Sequence, residues 1–365
     1  MRGSGTCAIL MRLGLKSNPM KTEAAVLVET GKPLELASLE IPPLSRGQCL
    51  VEVAYSGACH TQILEARGRR GEDQWLPHCL GHEASGIVLE VGDGVTRASP
   101  GDRVALSWIK ANGLEAGGST YDWNGKTVNA GAVTTFQRHT VVSENRVTVL
   151  PDGLEMTQAI LLGCALPTGM GSVLNVGKPI EGEAVAVFGT GGVGLCAVMG
   201  AVVSNCNPVI AIDLLESKLE KALAFGATHT IDSSKKDAIA CIAEICPDGV
   251  DIAIEATGRP AVMAAALSTA RSQGGRALVI GNAPKGQTVT LDPLEFNQGK
   301  SLLGTWGGDA KPDRDFPLFA SLMTEKKIDV EPLLSQPYRL DEINNALDDL
   351  EAGRIGRPLI KMKDS

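Results

Sequence analysis

The stretch AVAVFGTGGVGLCAVMGAVVS, residues 184–204, decides how the rest of this chain is interpreted. It joins an apolar segment typical of a buried strand to a glycine-rich turn and then to an apolar segment of helical length. The turn, Gly189-Thr190-Gly191-Gly192-Val193-Gly194, matches the G-x-G-x-x-G pattern. In that pattern Gly189 permits the tight turn, Gly191 lets a pyrophosphate approach the backbone, and Gly194 allows close packing of helix on strand.

An acidic residue follows the turn at the spacing expected for a dinucleotide site. Asp213 ends the next apolar segment, VIAID, 19 residues beyond Gly194. A carboxylate at this position accepts both adenosine ribose hydroxyls, and it repels a 2′-phosphate. The pattern therefore predicts NAD rather than NADP. A glycine-rich turn that packs without a cofactor is the alternative, which the full strand, turn, helix and acid context disfavours.

The segments around the turn predict two kinds of architecture. After about residue 167, apolar strands alternate with helices, which indicates a parallel sheet covered on both faces. Residues 22–110 hold short Val-, Leu- and Ile-rich segments bounded by Gly, Pro and Asp, which predict a β-rich domain. Residues 109–132 are polar and glycine-rich and predict a long surface loop. From about residue 309, two helices and a final strand are expected.

Length and composition narrow the class of protein. At 365 residues the chain is longer than one core usually serves, so two domains are expected. A net charge of −8 gives no global attraction to nucleic acid or anionic membranes, and no apolar run is long enough to span a bilayer. Nine scattered cysteines indicate reduced thiols with a metal or catalytic use, which predicts a cytoplasmic protein.

The first 19 residues resemble a signal peptide only weakly. Their apolar part is short, Arg12 interrupts it, and no small-x-small cleavage site follows. We interpret residues 1–19 as an N-terminal extension, with the working protein beginning near Met20.

Further motifs surround the glycine-rich turn in a fixed order. They are GACHTQ (57–62), GHEASGIVLEVGDGV (81–95), PGDRVAL (100–106), LLGCALPTGMG (161–171) and VFGTGGVGL (187–195). Their order and spacing resemble those of the zinc-containing medium-chain alcohol dehydrogenases over about residues 20–363. The resemblance implies an α/β chain with a GroES-like β-rich catalytic domain, residues 20–166 and 309–365. A Rossmann domain with a doubly wound parallel sheet, residues 167–308, would interrupt it and bind NAD.

The resemblance also implies one catalytic zinc ion in the cleft between the domains. Cys59, His82 and Cys164 match the three metal ligands, which lie too far apart for spacing alone to identify them. Two thiolates and an imidazole leave a Lewis-acidic ion with a fourth position open. Thr61 matches the hydroxyl that accepts the substrate proton, and Glu83 matches a carboxylate behind the metal.

Other residues match cofactor contacts of the family. Besides the glycine-rich turn and Asp213, the candidates are His60, Thr168, Val193, Lys218, Ile280 and Arg357. Thr168 and Val193 match residues that hold the nicotinamide ring. Lys218 matches a residue that contacts the adenosine ribose. His60 and Arg357 match residues that contact the pyrophosphate. His60 is also a candidate catalytic residue. A solvated position on a helix face is an equal alternative for Lys218.

The chain departs from many relatives near the metal. No cysteine lies in residues 104–163, where many relatives hold a second, structural zinc, so one zinc per chain is expected and the 109–131 loop must be ordered by other means. Gln62 stands where relatives often have an Asp that hydrogen-bonds the zinc-ligand histidine, and we expect its amide to act as a neutral acceptor. Leu64 replaces a histidine that ends the proton relay in some relatives.

The substrate pocket is less determined. Trp108 matches a position at which an aromatic ring narrows the pocket, and Asn282 stands where relatives usually have an apolar residue. Arg69 and Arg70, next to Arg67, form a basic cluster near the pocket mouth. This cluster favours an anionic alcohol or aldehyde, because guanidinium groups suit oxyanions. The alternative is a solvated loop balanced by nearby carboxylates.

These features predict an NAD-dependent zinc alcohol dehydrogenase acting on a small-molecule alcohol or aldehyde. A dehydrogenase of S-hydroxymethylglutathione-type conjugates is one alternative, and a non-catalytic nucleotide-binding scaffold is another of a different class. The intact ligands disfavour the scaffold and also a zinc-free quinone reductase of the same superfamily. No nucleic-acid or membrane partner is expected. A homodimer or homotetramer would associate through the edge of the cofactor-domain sheet, at residues 278–303.

Overall fold

The computed structural model describes residues 20–363, and the predicted N-terminal extension, residues 1–19, lies outside them. In the first part of the chain the strands are β1 Lys21–Leu27, β2 Glu35–Glu40, β3 Gln48–Gly57, β4 His78–Cys79, β5 Glu83–Val91, β6 Arg103–Ser107, β7 Ser119–Trp123, β8 Lys126–Ala130, β9 His139–Ser143 and β10 Val147–Val149. Those that follow are β11 Val185–Phe188, β12 Val209–Asp213, β13 His229–Asp232, β14 Ile252–Glu255, β15 Arg276–Val279, β16 Ser301–Gly304, β17 Leu334–Arg339 and β18 Arg357–Lys361.

The α-helices lie mostly in the second half of the chain. They are α1 His60–Ala66, α2 Met156–Ala159, α3 Ala165–Gly171, α4 Gly192–Val203, α5 Glu216–Ala224, α6 Ala238–Ile245, α7 Pro260–Thr269, α8 Pro293–Asn297, α9 Pro312–Thr324 and α10 Ile343–Glu351. Across residues 20–363, no helix on its own combines the length and apolar composition that a bilayer span needs. The segments Met156–Gly163 and Ala165–Gly177 pass such a test only as a pair bent by 57°.

The glycine-rich turn lies at the centre of a parallel sheet with the order β13-β12-β11-β14-β15-β16. Alternate residues of β11 face two different apolar clusters: Val187 packs in the cluster that contains α4, and Ala186 packs in the one that contains Ile242 and Leu267 of α6 and α7. Helices therefore cover both faces, as the apolar strands predicted. The strand order reverses beside β11, where the carboxyl ends of parallel strands open a ligand-binding crevice. The doubly wound domain is confirmed.

The predicted β-rich part forms two further sheets. One is a closed barrel with the order β1-β2-β7-β8-β4, and the other runs β10-β6-β5-β3-β18-β17 with β9 also paired to β3. Strand β18, at the end of the chain, pairs antiparallel with β3. The chain thus leaves the β-rich part, builds the parallel sheet and returns.

We propose domain limits at 20–166, 167–308 and 309–365. The membership of β17 and β18 in the sheet of β3 supports the return of the C-terminal part to the catalytic domain. The first limit falls inside α3, and one large apolar cluster includes Leu161, Val185 and Phe316, one from each of the three segments. The segments therefore share a core at their junction.

The expectation of a continuous surface loop at 109–132 is wrong for its second half. Strands β7 and β8 form an antiparallel hairpin that helps to close the barrel. The hairpin turns at Asn124-Gly125, where φ is 52° and 85°. Positive φ at both central residues is what a type I′ turn requires, and Asn-Gly is its strongest sequence signature. This dipeptide was the available signal.

The first half of the same segment is ordered by the carboxylate of Glu144, which is 1% exposed. One oxygen accepts the backbone amides of Thr96 at 2.6 Å and Arg97 at 2.9 Å, and the other accepts that of Leu114 at 2.6 Å. Burial raises the pKa of Glu144, but these backbone hydrogen bonds outweigh it and hold the pKa below its ordinary value. A buried carboxylate thus fastens a loop that has no cysteine ligands.

Replacing Glu144 by Gln is expected to destabilise the protein. The amide would place an NH2 group against a buried backbone N–H, at a cost of about 1–3 kcal/mol. Because its folded pKa is depressed, the wild-type carboxylate contributes stability that is complete above the ordinary Glu pKa of about 4.3. That contribution is lost as the pH falls through the folded pKa. At pH 7, urea unfolding should show a lower free energy of unfolding for Glu144→Gln than for wild type. The difference between the two should shrink as the pH is lowered in steps.

The matched control is Glu155→Gln. Glu155 is an exposed carboxylate with no side-chain hydrogen bond to its helix, so its exchange should leave the unfolding free energy within about 0.5 kcal/mol of wild type. An E144Q variant as stable as wild type at pH 7 would contradict the assigned role of Glu144.

Candidate active site

The three predicted metal ligands come together from three segments. Their ligand atoms all lie within 4.8 Å of one another, and Cys59 Sγ is 3.5 Å from His82 Nε2. Cys59 lies between β3 and α1, where its sulfur caps the helix by accepting the amide of Thr61 at 3.4 Å. His82 precedes β5, and Cys164 precedes α3. Each ligand therefore sits at the end of a regular element.

The electrostatics of the two thiols suit a cation. The hydrogen bond from Cys164, assisted by His82, lowers the pKa of the Cys59 thiol, and the same bond raises the pKa of the Cys164 thiol. Both cysteines would give up their thiol protons on binding a metal ion. Two sulfurs and one imidazole nitrogen form a donor set that zinc takes with three protein ligands and a position left for substrate. The residues fit zinc.

Gln62 contacts the histidine ligand differently from what the sequence suggested. Its Oε1 accepts the backbone N–H of Cys59 at 2.9 Å, and its Nε2 lies 2.5 Å from Nδ1 of His82. The amide therefore presents a donor to the imidazole, and the expectation of a neutral acceptor is wrong. The cause is local: the oxygen is already used to cap the first turn of α1.

Glu83 and Arg357 form an ion pair behind the ligands. The side chains are 0% and 2% exposed, and Arg357 Nη1 donates to Glu83 Oε1 and to the carbonyl of Ala58, both at 3.0 Å. Burial raises the pKa of Glu83 although Arg357 opposes the shift. Nε and Nη2 of Arg357 are buried and have no hydrogen-bond partner among the described residues. These two donors are available to a ligand.

The glycine-rich turn leaves space at one position only. A Cβ on Gly194 would lie 1.8 Å from the carbonyl oxygen of Gly189, so the helix and the turn pack as closely as glycine allows. A Cβ on Gly191 would meet nothing within 4 Å, and Gly191 caps α4 with an ordinary φ of −72°. The unpaired N–H groups and the positive end of α4 therefore face an open cradle, which fits a pyrophosphate.

Charged side chains surround this cradle. Lys218, half-buried on α5, lines a cavity together with Gly191 and Arg354. Asp213, at the carboxyl end of β12, accepts the amide of Thr190 at 2.8 Å and that of Leu214 at 2.8 Å. Its carboxylate is thereby fixed beside the turn. In a dinucleotide site a carboxylate at this position accepts hydrogen bonds from the ribose hydroxyls.

The remaining cofactor candidates are Thr168, Val193, Ile280 and His60. Thr168, on α3, has a buried hydroxyl with no hydrogen-bond partner within residues 20–363. Val193 and Ile280 are half-buried, the second directly after β15. His60 is exposed on the first turn of α1, close enough for Arg357 and Lys218 to act on its charge.

A second cavity opens beside Thr61. Its walls are Thr61, Leu64, Arg70, Asn282, Ala283 and Lys285. Asn282 Nδ2 donates to Thr61 Oγ1 at 3.4 Å. Trp108 lies at the metal end, edge-on to the His82 ring with centroids 6.3 Å apart. Its buried Nε1 has no hydrogen-bond partner in the described part of the chain.

The predicted basic cluster divides in the structure. Arg69 pairs with Glu351 at 2.7 Å, as does Arg67 at 3.1 Å, and neither lines the cavity. Arg70 does line it, although it also pairs with Glu65 at 2.8 Å. Glu65, one of the carboxylates expected to balance this loop, thus pairs with Arg70, whereas Arg67 and Arg69 pair with Glu351.

Two residues near the cleft were missed in the sequence. Lys285 follows the parallel sheet's fifth strand and reaches the loop of Arg69, with its backbone amide 3.2 Å from the Arg69 carbonyl. Trp306 is 77% exposed and packs edge-on against Trp108 with centroids 5.2 Å apart. An isolated lysine or tryptophan in a glycine-rich loop carries no spacing signal, so only the tertiary structure identifies them.

Comparisons with known proteins agree with this geometry. Residues 45–152 match the family model described as the alcohol dehydrogenase GroES-like domain, and residues 192–325 match the one described as zinc-binding dehydrogenase. The chain is similar to S-(hydroxymethyl)glutathione dehydrogenases of Escherichia coli and Shigella sonnei, with 33% identity over 94% of this chain and 100% of those proteins.

Solved structures give the same result. Benzyl alcohol dehydrogenase from Acinetobacter calcoaceticus superposes with a TM-score of 0.85 at 30% identity, over 94% of this chain and 100% of that one. An alcohol dehydrogenase zinc-binding domain protein from Burkholderia ambifaria gives 0.85 at 28% identity, over 95% and 100%. The likeness covers both the cofactor turn and the metal ligands.

Two alanine substitutions in the turn should separate folding from cofactor binding. Gly191→Ala meets no protein atom, so thermal unfolding should be unchanged while the added methyl obstructs the cradle. An overpacking cost of about 1–3 kcal/mol corresponds to an NAD Kd raised about 5- to 150-fold. Gly194→Ala instead collides with the carbonyl of Gly189 and should lower Tm. Calorimetric NAD titration and thermal scans measure both; unchanged NAD affinity in G191A would exclude the cradle as the pyrophosphate site.

Proposed function

This chain belongs to the zinc-containing medium-chain alcohol dehydrogenase family, and we propose that it oxidises a small-molecule alcohol and transfers the hydride to NAD. The observation that carries the proposal is the convergence of Cys59, His82 and Cys164 next to Thr61. Thr61 also lines the second cavity, together with Arg70 and Asn282. The fit of the donor set to zinc and of the cradle to a dinucleotide supports the enzyme over a non-catalytic scaffold.

The side chains divide the chemical work. When bound, zinc supplies a Lewis acid and NAD a hydride acceptor. Thr61 Oγ1, held by Asn282 at 3.4 Å, is placed in the cavity wall to accept the proton of the alcohol. Leu64 in the same wall has an apolar side chain and offers no acceptor for that proton. The Trp108 ring narrows the cleft beside His82 and favours a slim group at the reacting carbon.

The buried ion pair supports roles for its two members. We propose that Arg357 binds the cofactor pyrophosphate through the two donors that Glu83 leaves without a partner. Its Nε lies 3.5 Å from where a Cβ on Gly192 would be, at the start of α4. His60 and Lys218 would add positive charge on the same side. Glu83 would then act electrostatically behind the metal ligands, held in place by Arg357.

Exchange of the Thr61 hydroxyl tests the proposed proton path. Thr61→Val should lower kcat for alcohol oxidation about 10²- to 10⁴-fold, the usual contribution of a positioned proton acceptor. Thr61→Ser retains the hydroxyl and should stay within about tenfold of wild type. Zinc content by atomic absorption should be unaltered in both, because Thr61 contacts Cys59 through its backbone amide alone. Full kcat in T61V would refute the role.

We further propose an anionic substrate. Arg70 and Lys285 reach the cavity from the two sides of the cleft, and Lys285 has no ion pair within residues 20–363. Arg70 is partly neutralised by its ion pair with Glu65. Burial raises the pKa of the Glu65 carboxyl, although the charge of Arg70 opposes this shift. The cavity mouth thus carries a positive excess beside Thr61, in a chain of net charge −8. A carboxylate or phosphate group on the alcohol would meet both cations.

Arg70→Gln and Lys285→Gln should each lower the ratio of kcat/KM for an anionic alcohol over its neutral analogue. About fivefold per exchange is expected, since an exposed ion pair contributes about 1 kcal/mol. Arg69→Gln is the matched control from the same loop, because Arg69 pairs with Glu351 outside the cavity. The measurement is NAD reduction with both substrate classes. An equal ratio in all variants would rule out anion recognition here.

A thiol-conjugate dehydrogenase is the second candidate. The relatives named S-(hydroxymethyl)glutathione dehydrogenase are 33% identical, and glutathione is itself anionic, so the cations at the mouth suit it too. Formaldehyde oxidation that requires added glutathione identifies this activity. NAD reduction with simple alcohols that is equal with and without glutathione identifies the alcohol dehydrogenase.

We propose that the protein forms a homodimer or homotetramer. Strand β16 is the edge of the parallel sheet, and Leu294 and Phe296 just before it are exposed at 55% and 46%. An open edge with exposed apolar side chains supports a homo-oligomer formed through residues 278–303. We retain the cytoplasm as the predicted compartment, on the ground of the scattered cysteines.

A further inference from the structure

Gln62 makes two contacts that compete once a metal binds His82. Its Oε1 accepts the N–H of Cys59 at 2.9 Å, and its Nε2 donates toward Nδ1 of His82 at 2.5 Å. The Gln62 side chain is buried, with 1% exposure, so bulk water does not reach either contact. As they stand, these contacts suit an imidazole whose proton is on Nε2, facing the sulfur of Cys59 at 3.5 Å.

A metal ion requires the opposite tautomer. The nitrogen that faces the two cysteines is Nε2, so a metal takes its lone pair there and the proton of the neutral ring moves to Nδ1. The Nδ1–H group then points at the NH2 group of Gln62. Two donors face each other in a buried place, and one hydrogen bond is lost.

Turning the amide over does not remove the conflict. With its ends exchanged, the oxygen accepts Nδ1–H of His82, but the NH2 group then faces the backbone N–H of Cys59. An amide has one oxygen and two N–H donors, whereas both neighbours are donors in the metal-bound arrangement. A carboxylate of the same length accepts from both at once. The mismatch therefore belongs to the residue type and not to its orientation.

We propose that Gln62 is a positioning residue that weakens the hold of this site on its metal, by favouring the tautomer of His82 that cannot bind it. The inference rests on the proposed zinc site of Cys59, His82 and Cys164. It goes beyond the reaction, because it concerns how readily the ion leaves and returns. The chain thus has a catalytic centre that loses zinc sooner than its ligand set alone would suggest.

Gln62→Glu tests the inference on the full-length protein. After removal of the metal by a chelator, zinc is titrated back in competition with a chromophoric chelator, and its Kd is compared with wild type. The variant should bind zinc about 10- to 100-fold more tightly, the usual effect of an outer hydrogen bond on a metal ligand. The rate of zinc release should fall correspondingly.

A carboxylate also attracts a cation through space, so charge needs its own control. Leu64→Glu places the same charge two residues further along α1, on the cavity wall and away from Nδ1 of His82. Under the proposal Gln62→Glu tightens zinc binding clearly more than Leu64→Glu does. Equal gains in the two variants, or none in Gln62→Glu, would overturn it.

A second measurement does not depend on any variant folding. In metal-free wild-type protein, ¹⁵N shifts of His82 at a pH where the ring is neutral should show the proton on Nε2. A proton on Nδ1 would overturn the proposal. Wild-type protein that binds no zinc would overturn the proposed function as well, whereas an unchanged Kd in Gln62→Glu removes this inference alone.

Discussion

The buried ion pair of Glu83 and Arg357 connects the parts from which the site is made. Arg357 belongs to the last strand, and its guanidinium binds both Glu83, which follows the ligand His82, and Ala58, which precedes the ligand Cys59. Taking both charges out of water costs several kcal/mol each, so the pair is a weak source of stability. Its consequence is positional, because the end of the chain fixes the segments that carry two of the three ligands.

The same residue links the metal site to the parallel sheet. The sheet places its reversal point, and hence the positive end of α4, against the strand that carries Arg357. Arg357 therefore contacts both the cofactor cradle and the segments that carry two metal ligands, and the apolar core shared by the three segments adds to this connection. The cavity beside Thr61 is the space left between these two fixed parts, and residues from both sides of the cleft complete its walls.

What the sequence could predict follows from the range of each interaction. The turn at Gly189, Gly191 and Gly194 was readable because strand, turn, helix and acid are close neighbours along the chain. The ligands Cys59, His82 and Cys164 were accessible only through a family resemblance. The hairpin at Asn124-Gly125 was a local signal that the polar composition obscured. Lys285 and the orientation of the Gln62 amide depend on contacts between distant segments, which no spacing encodes.

The carboxylate of Glu144 orders a loop that is held by metal-binding cysteines in many relatives, so the order of this loop does not require a metal ion. A loop fastened by backbone amides on a buried oxygen pair has no thiolate to oxidise and no ion to surrender. Loss of the catalytic zinc would then leave the hydrogen bonds that order this loop unchanged. The order of this part of the fold would thus not depend on whether the protein holds a metal ion.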